Sequence, residues 1–141
     1  MTEHVTATLV DGMHFQVAID QFTFDIDAAA AAGGVGAGPQ PLRLVLGALS
    51  GCTAMDVISI LRKKRQEITR FSVEVVGTRA SEHPKVYTDI EIVYRVHGRG
   101  IDPEAVQRAI NLSEEKYCPV IGMLRASVNL RNRFEVVEVA T

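Results

Sequence analysis

Apolar and polar positions alternate along this chain at two different periods, and the changes of period mark its elements. Residues 4–10 (HVTATLV), 13–18 (MHFQVA) and 22–26 (FTFDI) alternate residue by residue, as half-buried strands do, with Asp11-Gly12 as a turn between the first two. They predict an opening antiparallel meander. Residues 28–39 (AAAAAGGVGAGP) carry glycines and no periodic apolar face, which predicts a flexible loop in which the alanine run is able to form a brief helix.

Pro41 stands where a helix can begin, because proline lacks only an N–H that the first turn leaves unpaired. From Leu42 to about Arg65 the pattern predicts a helix of roughly 36 Å, apolar nearly all round through its middle. Such a helix has to be buried, and it is longer than one face of a small sheet covers, so a homodimer in which a partner subunit covers the rest is expected. Residues 69–80 and 85–97 alternate again and predict a second hairpin. Asp102-Pro103 opens a helix to about residue 116, Pro119 a short one to about Ala126, and a last strand covers Val128 to Val139. The order βββ-α-ββ-αα-β points to an α+β fold of antiparallel sheets around a long buried helix, in a single domain over 1–141.

Composition narrows the function. The chain has 141 residues, 47% of them hydrophobic, enough for a packed core. Fifteen Lys and Arg against seventeen Asp and Glu give a formal charge of −2, so no global field draws nucleic acid or an anionic membrane. The stretch 44–61 is interrupted by Ser50, Asp56 and Ser59, and the N-terminus lacks a basic segment followed by an apolar run; a cytoplasmic protein is expected. Two cysteines are too few for a disulfide scaffold, and if they pair the pairing is catalytic.

Cys52 lies in Ser50-Gly51-Cys52-Thr53, where small neighbours leave room beside the sulfur; the plainer reading is a small buried hydrophobe. Cys118, in Tyr117-Cys118-Pro119, is placed to cap a short helix, whose positive end would favour its thiolate; otherwise it is a spacer at a turn. Their spacing, 66 positions along the chain, is silent on contact. A thiol peroxidase needs a thiolate, a cation or donor for the leaving alkoxide, and a second thiol to resolve the sulfenic acid. Arg43, nine residues before Cys52, falls on the opposite helix face at about 100° per residue. Asp56 is one turn after Cys52 on the same face, where it would raise the thiol pKa unless neutralised. Glu114 and Glu115 read as solvated helix-end charges and as second choices. The four histidines show no metal-ligand spacing, and GGVGAG lacks the context of a nucleotide loop, so neither metal nor cofactor is expected.

The segment PLRLVLGALSGCTAMDV (41–57), followed by SEEKYCPV (113–120), resembles the OsmC/Ohr family, and the likeness continues through EHPKVYTDIEIVYRVHG (82–98) and DPEAVQRAI (102–110). The resemblance implies an intertwined homodimer with active sites at the subunit interface. It also implies that Cys52 attacks an organic hydroperoxide, that Cys118 resolves the intermediate, and that an external dithiol of lipoyl type restores both. The sequence departs from the family where its peroxidases pair the reactive cysteine with an N-terminal arginine and a glutamate at the helix start: residues 1–30 contain no arginine, and Arg43 stands where the glutamate is common. Arg43 is then the candidate cation, in its own chain or from the partner, with Asp56 or Glu115 as its acid. Leu49, Met55 and Met123 are expected to favour alkyl substrates. The alternatives are a non-catalytic dimer that binds a small apolar ligand and an interaction protein with inert cysteines.

Overall fold

A computed structural model describes residues 1–140 and divides them into two compact units, Met1–Val45 and Leu46 onward. In the first, β1 (Val5–Asp11), β2 (His14–Ile19) and β3 (Phe22–Ile26) form the expected antiparallel meander in the order β1-β2-β3. A single 3-10 turn over Ala30–Ala32 is all the helix that the alanine run makes. The glycine-rich loop has an internal anchor. Asp27, 1% exposed, accepts the backbone N–H of Ala28 at 2.7 Å, Val35 at 2.9 Å and Ala37 at 3.1 Å. Those amides, led by Val35, hold its carboxyl below the usual carboxylate range.

Helix α1 spans Arg43–Lys63. Its last turn carries Arg62 and Lys63 at the negative end of the helix dipole. The stop is a left-handed Arg65 (φ 55) followed by the Gln66 N–H reaching back to the Leu61 carbonyl at 3.1 Å. By length and composition α1 is long and apolar enough to cross a membrane. Here Leu49, Thr53, Val57 and Leu61, one stripe at four-residue spacing, are fully buried within the fold. Each buried aliphatic side chain of that stripe contributes about 1.5–3 kcal/mol. In the single chain the other faces are partly open, as expected of a helix longer than one small sheet covers, and Met55 is 73% exposed.

The second unit holds the sheet β4 (Glu67–Arg79), β5 (Tyr87–Arg99) and β6 (Asn129–Glu138), in the order β4-β5-β6. The β4/β5 hairpin is antiparallel, but β6 runs parallel to β5, so this sheet is mixed rather than antiparallel throughout. The reason is the connection: a parallel neighbour needs a crossover, and α2 (Pro103–Leu112), a π turn (Ser113–Tyr117) and α3 (Pro119–Leu124) supply it. On β5, Ile90, Ile92, Tyr94 and Val96 alternate onto one face and are buried. Asp102 caps α2 by accepting the Glu104 N–H at 2.9 Å, with Pro103 in the first turn, as the sequence predicts.

Candidate functional site

Cys52 occupies the middle of α1, and Thr53 beside it belongs to the buried stripe. Cys118 is delivered by the crossover. Its N–H bonds the Ser113 carbonyl at 2.8 Å, closing the π turn, and Pro119 then starts α3. The two thiols lie close to one another, although their positions are 66 apart in the sequence. Both are free.

The cap expected at Cys118 is present, with Sγ accepting the Ile121 N–H at 3.5 Å. Its electrostatic outcome is the reverse of the sequence expectation. Cys118 is 4% exposed, and burial pushes its thiol up to about 11; the Ile121 amide opposes that rise, and the neighbouring Cys52 adds to it. A six-residue helix offers too little field to offset desolvation of a thiolate. Cys118 is thus a protonated thiol at neutral pH, and Cys52 is the more open sulfur.

Thr53, the residue after Cys52, belongs to a chain of hydroxyls. Thr53 Oγ1 is 2.8 Å from the Tyr94 hydroxyl and 2.8 Å from Ser113 Oγ, all three residues being buried. Ser113 donates to Asp56 Oδ2 at 2.9 Å, and Tyr94 donates to Glu114 Oε1 at 3.3 Å. Asn132 of β6 donates to Glu114 Oε2 at 2.6 Å, and the Arg125 guanidinium donates to the Glu114 carbonyl. Burial is the largest influence raising the Glu114 carboxyl pKa, against the Asn132 and Tyr94 hydrogen bonds and the Arg125 charge. Burial likewise raises the Tyr94 phenol.

Of the residues singled out from the sequence, Cys52, Cys118 and Asp56 come together in this region. Asp56 is held by a serine hydroxyl rather than by the candidate cation Arg43. Arg43 is the exposed first residue of α1 and belongs to the first compact unit. Glu115 is exposed beside a shallow depression that it shares with Glu114, Ile121, Arg125 and Leu130. It is Glu114, ranked no higher from the sequence, that turns inward. Leu49 is fully buried core, whereas Met55 and Met123 are exposed. Thr53, Tyr94 and Ser113 carried no signal as single residues; only the adjacency of Thr53 to Cys52 and of Ser113 to the EKYCPV segment marks them.

A larger open cavity of about 610 Å³ is lined by Met55, Asp56, Ile60, Lys63, Leu112 and Tyr117 among others. It presents Asp56 to solvent next to apolar side chains.

Comparison with known proteins agrees with this architecture. The family described as OsmC-like protein matches residues 33–132. Protein YhfA of Escherichia coli K12 is 43% identical over 99 residues, covering 70% of this chain and 74% of that one. The crystal structure of a hypothetical protein from Aquifex aeolicus VF5 superposes with a TM-score of 0.87 at 30% identity, over 99% of both chains. The organic hydroperoxide resistance protein OhrB of Bacillus subtilis shares the fold, with a TM-score of 0.62 at 24% identity over 96% of this chain and 98% of that one.

Proposed function

This chain belongs to the OsmC-like protein family, and from that premise we propose that it is a thiol peroxidase that reduces organic hydroperoxides through Cys52 and Cys118. The observation that carries the reading is the closeness of the two thiols. The Cys52 thiolate attacks the terminal peroxide oxygen, an S–O bond forms as the O–O bond breaks, and the departing alkoxide takes a proton to become the alcohol. The Cys118 thiol then attacks the sulfenic sulfur, forming the disulfide and releasing water. An external dithiol of lipoyl type restores both thiols by exchange, ending as its own disulfide.

The order of roles has physical support. A thiol held up to about 11 is a poor first nucleophile at neutral pH, whereas resolution demands only that it sit beside the oxidised sulfur. Met55 and Tyr117, exposed beside the open cavity, favour an alkyl substrate over hydrogen peroxide. The same partly open faces of α1 suit a homodimer, in which a second copy covers what one chain leaves bare.

A test is to treat reduced protein with cumene hydroperoxide or hydrogen peroxide and count free thiols. The expected result is loss of both thiols in the wild type with the organic peroxide first, and none with Cys52→Ser. The first arginine of the sequence is Arg43, at the exposed start of α1, and this supports a second reading, a dimer that binds an apolar ligand without turnover. Unchanged thiols in the wild type would select it.

A further inference from the structure

The hydroxyl chain poses a problem of proton number. Its four contacts, Asp56 to Ser113, Ser113 to Thr53, Thr53 to Tyr94 and Tyr94 to Glu114, each require one proton between their oxygens. A hydroxyl supplies one proton and an ionised carboxylate none. With both carboxylates charged, three protons serve four contacts, and two oxygens of buried groups face each other with lone pairs only. One added proton on a terminal carboxyl satisfies all four, and every bond then points the same way.

We infer that Asp56, Ser113, Thr53, Tyr94 and Glu114 form one directional proton relay, which stores a single proton on Glu114 and releases one at Asp56 for the chemistry of Cys52. Glu114, half-buried, is the storing end because burial favours its neutral form. The groups facing it are Tyr94 of β5, Asn132 of β6, Arg125 after α3 and its neighbour Glu115. Tyr94 also feels Cys118. At the other end, Asp56 opens to the cavity that Lys63, Lys64 and Tyr117 also line, one turn from Cys52 on the same helix. The two carboxylates border different depressions, so the relay runs through the interior from one to the other.

The release step balances, and it rests on the peroxidase reading, whereas the proton count does not. As the O–O bond breaks, Glu114 passes its proton to Tyr94, Tyr94 to Thr53, Thr53 to Ser113 and Ser113 to Asp56, and Asp56 protonates the departing alkoxide. Glu114, left ionised, takes a proton from solvent at its own depression.

Thr53→Val tests this with little change of shape. Without the Thr53 hydroxyl, Ser113 still donates to Asp56 and Tyr94 to Glu114: two protons serve two contacts, and the stored proton is no longer required. Infrared spectra of the reduced protein at neutral pH are expected to show a protonated carboxyl band that is absent from Glu114→Gln and strongly diminished in Thr53→Val. Oxidation of Cys52 by cumene hydroperoxide is expected to slow roughly a hundredfold in Thr53→Val at neutral pH, the scale of a lost general acid. That deficit should close at alkaline pH, where the wild type has also lost its stored proton; damage to the fold alone would leave a constant ratio. No carboxyl band in the wild type, or one unaffected by either substitution, overturns the relay. A band that responds while the two oxidation rates keep a constant ratio overturns the release step. A wild type inert to hydroperoxide removes the release step together with the peroxidase reading, while the band still decides the proton count.

Discussion

Ser113 donates its hydroxyl proton to Asp56 at 2.9 Å, across 57 residues of sequence, and so ties the π turn that presents Cys118 to the helix that carries Cys52. Ser113→Ala removes that donor and one of the two partners of Thr53. Loss of a buried hydrogen-bond partner costs about 1–3 kcal/mol. The expected outcome is a lower denaturant midpoint with an unchanged slope; an unaltered midpoint would show that the tie adds nothing to stability.

Substitution separates the sulfurs by role. In Cys118→Ser, Cys52 is still expected to consume one equivalent of cumene hydroperoxide, but the sulfenic acid persists and reacts with dimedone, which adds its mass to the protein. Steady turnover with a dithiol should fall at least about tenfold. Rapid turnover without dimedone capture would assign resolution to another thiol.

The buried Cys118 makes the protein sensitive to alkali. Its thiol, ordinarily near 9.0, is pushed up to about 11 by burial, so the folded state holds that proton more tightly than the unfolded chain. A raised pKa contributes stability that is fully present below pH 9.0 and disappears as pH climbs towards about 11. Thiolate absorbance followed during an alkaline titration of Cys52→Ser should find Cys118 below its wild-type value, since the neighbour's hydrogen bond and charge are gone, yet still above 9.0 because burial persists. A return to the ordinary value would make the neighbour, not burial, the cause.

Asp27 works in the opposite sense. Its carboxyl is held low by the amides of Val35, Ala37 and Ala28, so its contribution is present above the usual carboxylate range and is lost as pH falls through its depressed value. Asp27→Ala should release those amides, and hydrogen exchange is the direct check: the Val35 and Ala37 N–H groups are expected to lose at least about tenfold in protection. Unchanged exchange would mean that the loop is held by something other than this carboxylate.

Much of the fold was legible because it is written in short-range pattern. The alternation of HVTATLV and FTFDI, the proline at position 41 and the Asp102-Pro103 pair each fix an element through forces acting within a few residues. The parallel alignment of β6 was not legible, since strand direction depends on where the crossover returns and not on any residue in the strand. The closeness of Cys52 and Cys118 was expected only through family resemblance. The inward turn of Glu114 rather than Glu115 follows from a single π turn, which shifts side chains away from the positions that an uninterrupted α-helix predicts. Thr53 and Tyr94 look in sequence like any hydroxyl residues at apolar positions, and only their meeting gives them chemistry.

The central strand β5 is paired on one side by β4, which precedes it across a short turn, and on the other by β6, which begins thirty residues after β5 ends. A chain emerging from the ribosome therefore completes the β4/β5 hairpin while one side of β5, rich in valine and isoleucine, still offers unpaired amides and carbonyls to any passing strand. Until the C-terminal strand arrives to seal that edge, the nascent protein is most exposed to aggregation, and translational pausing between residues 100 and 128 would lengthen that period of risk.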